Sequence, residues 1–528
     1  MSAQKRRSKK QKTSPKVEKS TSIFSLLEVS SKKIFYFSLS LLIFTTIGHF
    51  QAQLSTIGDN AQFLTLAESL VKGRGYEYAN FPYSLPSTKY PFGYPFLLAP
   101  LFLLFNYHTF IGYKIFSLLL TWGSLYFVYK LFENEKTLLA NIVILLTALN
   151  LLILEYSSLI LSEIPYLFFS LWGLVLFQKW EKNRNIRSFL VALLIIGIAY
   201  YMRSIGIVFG GALLLYFAVR KEIKFLLIGS AVLVILALPW NIWTQIHGGS
   251  SYFHQLISKN PYSPYLGTVS LSDMVQRAIF NFKGYFFSYI PDVYLPDFIN
   301  FTRKLSQGQS IFLGVLLIIP LLVGYFVRLV RKRSLMEFYL LGYMGTLLLW
   351  PEVWLTNRFL VGIVPFIIFY FLLGFREIPI LLKWQSSISK PLLQFVFLIL
   401  LIPTLWGQLN FQNAQTIYTS DWKNYFAAAE WVKNNTSPET IVACRKPYLF
   451  YIRSTRKTVK FKFSRKAEEI LDDFRKKKVD ILIYDGFFRF ATTRRYLGPV
   501  IRKYPNRFAV LKEYQNPPTY ILKLNLDN

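Results

Sequence analysis

One cysteine, Cys444, stands in 528 residues. A disulfide within the chain and a thiolate metal cluster are therefore excluded, and any stability needed outside a cell must come from packing. Histidine is almost as scarce: His49, His108, His247 and His254 show no metal-ligand spacing and read as interfacial residues. Acids are few, 28 Asp and Glu against 60 Lys and Arg, for a net charge of +32. No RNA- or DNA-binding motif accompanies this excess, and the cations fall in a tail, in short loops and in the C-terminal segment. That distribution belongs to membrane topology and not to nucleic acid. There is no internal repeat and no duplicated pair of broken helices, which counts against a secondary transporter. The basic start, MSAQKRRSKKQKTSPKVEKS, lacks the brevity and the A-x-A site of a signal peptide and reads as a cytoplasmic tail before an uncleaved anchor.

What is abundant is apolar surface. At 53% hydrophobic and 18% aromatic residues, with mean hydropathy +0.34, the chain needs a bilayer as solvent. Eleven apolar runs approach the length of a span, at 34–50, 109–130, 137–154, 159–180, 186–202, 204–219, 224–243, 310–330, 335–350, 358–375 and 391–409. With the tail inside, the inner loops hold Lys130, Lys179, Arg220, Arg328 and Arg376, whereas the loops near Glu155 and Glu352 are poor in cations. The run 92–105 carries Pro95 and Pro100 and is too short to span, so it is expected to lie at the interface. Counting it as a span would invert every later loop.

The expected fold is thus a polytopic α-helical membrane protein of about eleven transmembrane helices with a small C-terminal α/β domain. Residues 1–33 form the basic cytoplasmic tail, 34–409 the transmembrane domain with outer loops 51–94 and 245–309, and 410–528 the extracytoplasmic domain. In that last domain 440–444 and 479–484 read as buried strands with a basic helix, 464–478, between them.

The first outer loop is the most informative stretch. Apolar residues at 63, 64, 67, 70 and 71 have helical spacing, and Gly73 or Gly75 can end the helix in left-handed backbone, which puts Asp59 at the start of an interfacial helix. Asp59 with Gln62 three residues on also fits a helix cap with no chemistry attached. Downstream, Lys89-Tyr90-Pro91-Phe92-Gly93-Tyr94-Pro95 sets one cation at the membrane surface, where a lysine is commonly an anchor. The topology puts Asp59, Lys89, Glu163, Arg203 and Arg358, from five segments, at the outer boundary. Ionisable groups there are costly unless paired or facing water, and one shared polar cavity accounts for all five; the alternative is that Glu163, Arg203 and Arg358 merely form ion pairs between helix ends or sit among headgroups.

An acidic residue after the first span, an interfacial helix ending in Gly73-Arg74-Gly75-Tyr76, and then the Lys89 motif resemble the GT-C glycosyltransferases of family 39, which include protein O-mannosyltransferases and the lipid A aminoarabinose transferase. The likeness is strongest to the RgtA/B/C/D-like bacterial branch. Leu161-Ser162-Glu163-Ile164-Pro165, Tyr201-Met202-Arg203 and Asn357-Arg358-Phe359-Leu360 extend it. The resemblance implies a glycosyltransferase of the bacterial inner membrane that moves a sugar from a polyprenyl-phosphate donor, with inversion, to a glycan, lipid or protein acceptor on the extracytoplasmic face. It implies catalytic roles for Asp59 and Glu163, donor-phosphate binding by Lys89, Arg203 and Arg358, and a divalent metal or a general base at Asp59. Two acidic neighbours of the family pattern are missing, since Asn60 and Thr88 stand in their places. A transporter or flippase of lipid-linked sugars is the alternative, because it too would need many spans and a cationic cavity.

Overall fold

The computed structural model describes residues 27–384, 386–489 and 491–525; residues 1–26, most of the expected basic tail, lie outside them. All eleven apolar runs are helical. They appear as Ser31–Gly48, Ile111–Phe132, Thr137–Ala148 with Leu151–Ser157, Glu163–Asn183, Ile186–Met202, Ser204–Ile207 leading into Val208–Arg220, Ile223–Ile246, Gln307–Arg331, Leu335–Leu349, Asn357–Ile363 leading into Val364–Leu381, and Ser389–Leu409. Among the described residues, five helices are long and apolar enough to cross a membrane, and the pair Thr137–Ala148 and Leu151–Ser157, bent by 44°, makes a sixth if it is one span. Several of the rest are short: the 15 residues of Leu335–Leu349 reach about 22 Å against a hydrocarbon core of about 30 Å. The run at the interface forms the 13-residue helix Gly93–Phe105.

Local chemistry explains the breaks. Asn150 restarts the bent pair by accepting from the N–H groups of Leu152 and Ile153, while its own amide donates to the Val293 carbonyl at 2.7 Å. Packing between spans uses small residues: a Cβ on Gly374 would stand 1.7 Å from the Pro320 carbonyl oxygen, so helices Gln307–Arg331 and Val364–Leu381 meet backbone to backbone. The outer surface keeps apolar side chains exposed, among them Phe44, Leu103, Leu104, Ile402 and Trp406. Such a belt suits lipid and would be an aggregation liability in water.

The C-terminal segment folds as an α/β unit around five strands, β1 (Ile441–Ala443), β2 (Lys457–Val459), β3 (Ile481–Tyr484), β4 (Phe508–Tyr514) and β5 (Thr519–Leu524), in the order β2-β1-β3-β5-β4. The first three are parallel; β5 adds antiparallel to β3, and β4 pairs with β5. β1 and β3 are the buried strands expected from sequence, and helix Ala467–Lys476 stands where the basic helix was expected. β2, β4 and β5 were not anticipated, because β2 has three residues and Lys512, Glu513 and Lys523 interrupt the apolar pattern of β4 and β5. The unit is bonded to segments 51–94 and 245–309: the Thr458 N–H donates to the Asn80 carbonyl at 2.8 Å, and the hydroxyls of Tyr451 and Tyr496 donate to Glu68 at 3.0 Å and to the Tyr262 carbonyl at 2.9 Å.

Candidate active site

The helix that carries Asp59 spans Gly58–Val71 and has Ile57 at its N-cap, with no side chain capping it. This corrects the capping alternative: Asp59 sits inside the first turn, and Gln62 approaches its Oδ1 at only 3.4 Å. The carboxylate is engaged by other segments instead. Oδ1 accepts from the Tyr90 hydroxyl at 2.6 Å and faces Lys89 Nζ at 3.5 Å, and Oδ2 lies 2.9 Å from Arg358 Nη2. Lys89 donates in turn to the Tyr90 oxygen at 2.5 Å.

Arg358 joins the two carboxylates. Its Nε donates to Glu163 Oε1, the same oxygen that pairs with Arg203 Nη1, and Arg203 also reaches Ser162 Oγ at 3.3 Å. Three of these residues stand at helix ends, where the chain can turn them inward. Glu163 opens helix Glu163–Asn183, Arg203 is the C-cap of Ile186–Met202, and Arg358 lies in the short helix Asn357–Ile363 that Thr356 caps.

The Lys89 turn is pinned from several sides. The Tyr76 hydroxyl donates to the Tyr90 carbonyl at 2.8 Å and Trp243 Nε1 to the Ser87 carbonyl at 2.9 Å. Gly93 lets the turn lie on the end of the helix that carries Arg203, since a Cβ there would come within 2.7 Å of the Tyr201 carbonyl oxygen. Glycine is required by this close approach and not by its dihedral angles. Phe63 and Tyr252 wall the Tyr90 ring at 4.5 and 6.2 Å between centroids.

Arg203, Arg358, Asp59 and Lys89 keep 16, 17, 23 and 25% of their side-chain surface accessible, whereas Glu163 keeps 2%. The four are thus partly accessible, and Glu163 is buried. Three cations against two carboxylates leave one positive charge in excess. Burial pushes the Asp59 carboxyl upward, but the charges of Lys89 and Arg358 and the bonds from Tyr90 and Arg358 outweigh it and hold the group well below the usual carboxylate range.

A divalent metal does not fit this arrangement. Asp59 offers both oxygens to cationic or hydroxyl donors, Glu163 gives one oxygen to two arginines, and among the described residues no group of three His, Cys, Asp or Glu could hold an ion.

Two lysines of the C-terminal unit stand outside these contacts but within electrostatic range of them, and sequence reasoning missed both. Lys446 lies within electrostatic range of Asp59, and Lys460 within range of Lys89. No local signal marked them, since their place depends on how that unit docks.

Residues 89–243 match the model of the dolichyl-phosphate-mannose-protein mannosyltransferase family, so the matched stretch begins at Lys89 and includes Glu163 and Arg203. No curated protein sequence matches the chain. Among solved structures, it resembles the oligosaccharyltransferase of Archaeoglobus fulgidus in the apo form, with a TM-score of 0.57 and 13% identity over 86% of this chain and 69% of that one. The same enzyme tethered to an acceptor peptide gives 0.57 and 12% over 94% and 74%. ArnT from Cupriavidus metallidurans bound to undecaprenyl phosphate gives 0.54 and 10% over 94% and 97%. The fold is that of the GT-C glycosyltransferases, and the family match agrees with that class.

Proposed function

We propose that the protein is a membrane glycosyltransferase that takes a sugar from a polyprenyl-phosphate donor and passes it, with inversion at the sugar carbon, to an acceptor on the extracytoplasmic face. The observation that carries this reading is the accessible cluster of Lys89, Arg203 and Arg358 around Asp59, with its single excess positive charge. A polyprenyl-phosphate sugar is a phosphodiester with one negative charge, which that excess matches.

The acceptor oxygen attacks the sugar carbon as the bond from that carbon to the phosphate oxygen breaks. The leaving polyprenyl phosphate gains a second negative charge, which the two arginines and Lys89 stabilise without proton transfer. Asp59 takes the proton of the acceptor hydroxyl. In the resting cluster its carboxylate is a weak base, because two cations and a hydroxyl hold it. When a phosphate draws Lys89 and Arg358 toward itself, Asp59 loses part of that stabilisation and becomes more basic. Glu163 positions the two arginines from behind.

The reading carries a topology: eleven crossings, an inner N-terminus and the 410–528 domain outside. Cys444 tests it, being buried with its thiol pushed up to about 12 by burial, and so unreactive until that domain is loosened. A membrane-impermeant maleimide should label it in right-side-out vesicles after mild denaturation; labelling in inverted vesicles alone would defeat the orientation.

Activity is tested by giving purified protein a panel of radiolabelled undecaprenyl-phosphate sugars together with an envelope extract as the source of acceptor. At least one should be bound and consumed, its label passing to the extract as undecaprenyl phosphate is released. A lipid that is bound and moved across vesicles without being consumed would mark a transporter.

A further inference from the structure

A cavity of about 590 Å³ lies between the second outer loop and the C-terminal unit, lined by Asn260, Ser263, Tyr265, Ser464, Arg465 and Arg495 among others. None of its lining residues belongs to the Asp59 cluster. Its volume is that of a ligand site, and its walls are polar. Arg465 stacks on Tyr265 with its guanidinium 4.0 Å from the ring centre, so one cation is oriented across the opening.

The residues next in sequence extend the positive charge inward. Arg445 is buried, donates to Thr492 Oγ1 at 2.5 Å and lies against the rings of Tyr262 and Phe463 at 5.8 and 5.6 Å, beside the lining residues Ser263 and Ser464. Lys460 sits over the same Phe463 ring at 4.0 Å and is exposed, although protein hems it in. Beyond Arg445 comes Lys446, in range of Asp59, while Lys460 is in range of Lys89. Arg465 and Arg495 at the cavity, Arg445 behind its lining, and Lys460 and Lys446 within range of the cluster thus form one run of five cations. The unit that supplies all five has 23 Lys and Arg against 11 Asp and Glu over residues 410–528.

Burial and the Arg445 charge push Lys446 down to about 7, and an anion beside it would favour its charged form. The lipid donor has no need of this route, since its phosphate is met at the membrane boundary by Lys89, Arg203 and Arg358.

We propose that the acceptor is an anionic glycan, bearing carboxylate or phosphate groups, which enters through the cavity at Arg465 and Arg495 and reaches Asp59 past Lys460 and Lys446, with the buried Arg445 adding charge behind them. This rests on the transferase reading and names its acceptor class. Spaced charges on the glycan would meet the arginines and lysines in turn, and a hydroxyl between two such groups would be delivered to the carboxylate.

The test uses the full-length protein in neutral-lipid nanodiscs and four probes: fluorescent oligomannuronate, neutral malto-oligosaccharide of equal length, undecaprenyl phosphate, and phosphatidylglycerol vesicles. The native protein should bind oligomannuronate at least tenfold more tightly than the neutral sugar. Arg465→Glu with Arg495→Glu should remove most of that preference while undecaprenyl phosphate binds as before. Lys512→Glu with Lys523→Glu makes the same change of charge on exposed strand residues outside the cavity lining and should leave the preference intact.

Equal binding of the two sugars by native protein, or equal loss in both double variants, would overturn the proposal. So would a loss confined to binding of phosphatidylglycerol vesicles, which would assign the two arginines to the membrane. Failure of native protein to bind undecaprenyl phosphate would instead count against the transferase reading, and the oligomannuronate result would still stand by itself.

Discussion

Among the buried charge clusters of the described residues, two are built differently. In one, Arg328 pairs with Glu337 at 2.9 Å and with Glu135 at 2.7 Å, and Lys332 adds a contact to Glu135 at 3.0 Å. Both Glu337 oxygens are filled: Oε1 also accepts from Tyr370 at 2.7 Å, and Oε2 from the N–H and hydroxyl of Ser334 in a capping box. Arg328 keeps 7% of its side-chain surface accessible and Glu337 none. The Asp59 cluster has four accessible members, and behind them Glu163 Oε2 lacks a hydrogen-bond partner among the described residues. A network closed on itself holds helices together. One that is open and charged in excess is prepared for something to arrive.

The largest contrast should come from Asp59→Asn. If Asp59 is the base, transfer falls about 10² to 10⁴-fold, the usual contribution of general-base catalysis. Undecaprenyl phosphate should bind at least as tightly, because the cluster gains net positive charge while Arg358 keeps Glu163. Capping offers no separate account of a loss, as Ile57 holds the cap position. An Asp59→Asn protein with native turnover would place this cluster with the structural one.

Glu337→Ala should show the opposite pattern. Removing one partner from a closed buried network costs about 3 to 5 kcal/mol, read as a lower unfolding midpoint in detergent. Turnover per folded molecule should stay close to native. A large loss of turnover with unchanged stability would erase the distinction between the two clusters.

Arg203→Ala and Arg358→Ala should each lower turnover about tenfold or more, from roughly 1.5 to 3 kcal/mol per charged hydrogen bond, with Lys89→Ala similar. Native activity in all three variants would leave the residues as anchors.

The smallest effect concerns pH. The folded Asp59 group is held below its ordinary range, so its ionised form contributes stability above the unfolded carboxyl pKa, and this is lost as pH falls through the folded value. The acid limb of kcat/KM should therefore lie below pH ~4, the ordinary carboxylate region. Tyr90→Phe removes one bond to the carboxylate and should move that limb upward. No movement would show that Tyr90 does not tune Asp59.

Much of the architecture was legible because bilayer solvation acts on local sequence. Apolar runs, the Pro95 and Pro100 break and the placement of cations report directly on which segments can leave water, and every run assigned to a span is helical. β2, β4 and β5 were not legible, since three-residue and mixed-charge strands are stabilised by neighbours that are remote in sequence.

The sequence by itself determined the helices, the interfacial turn and the five ionisable residues at one boundary, because hydropathy and charge act within a window of a few turns. Only the tertiary structure decided that Arg358 bridges Asp59 and Glu163, that Tyr90 links Lys89 to Asp59, and that Lys446 and Lys460 come within range of the same carboxylate and lysine. Those contacts join segments tens to hundreds of residues apart. Such pairings depend on how helices and domains pack, which no local pattern of residues encodes.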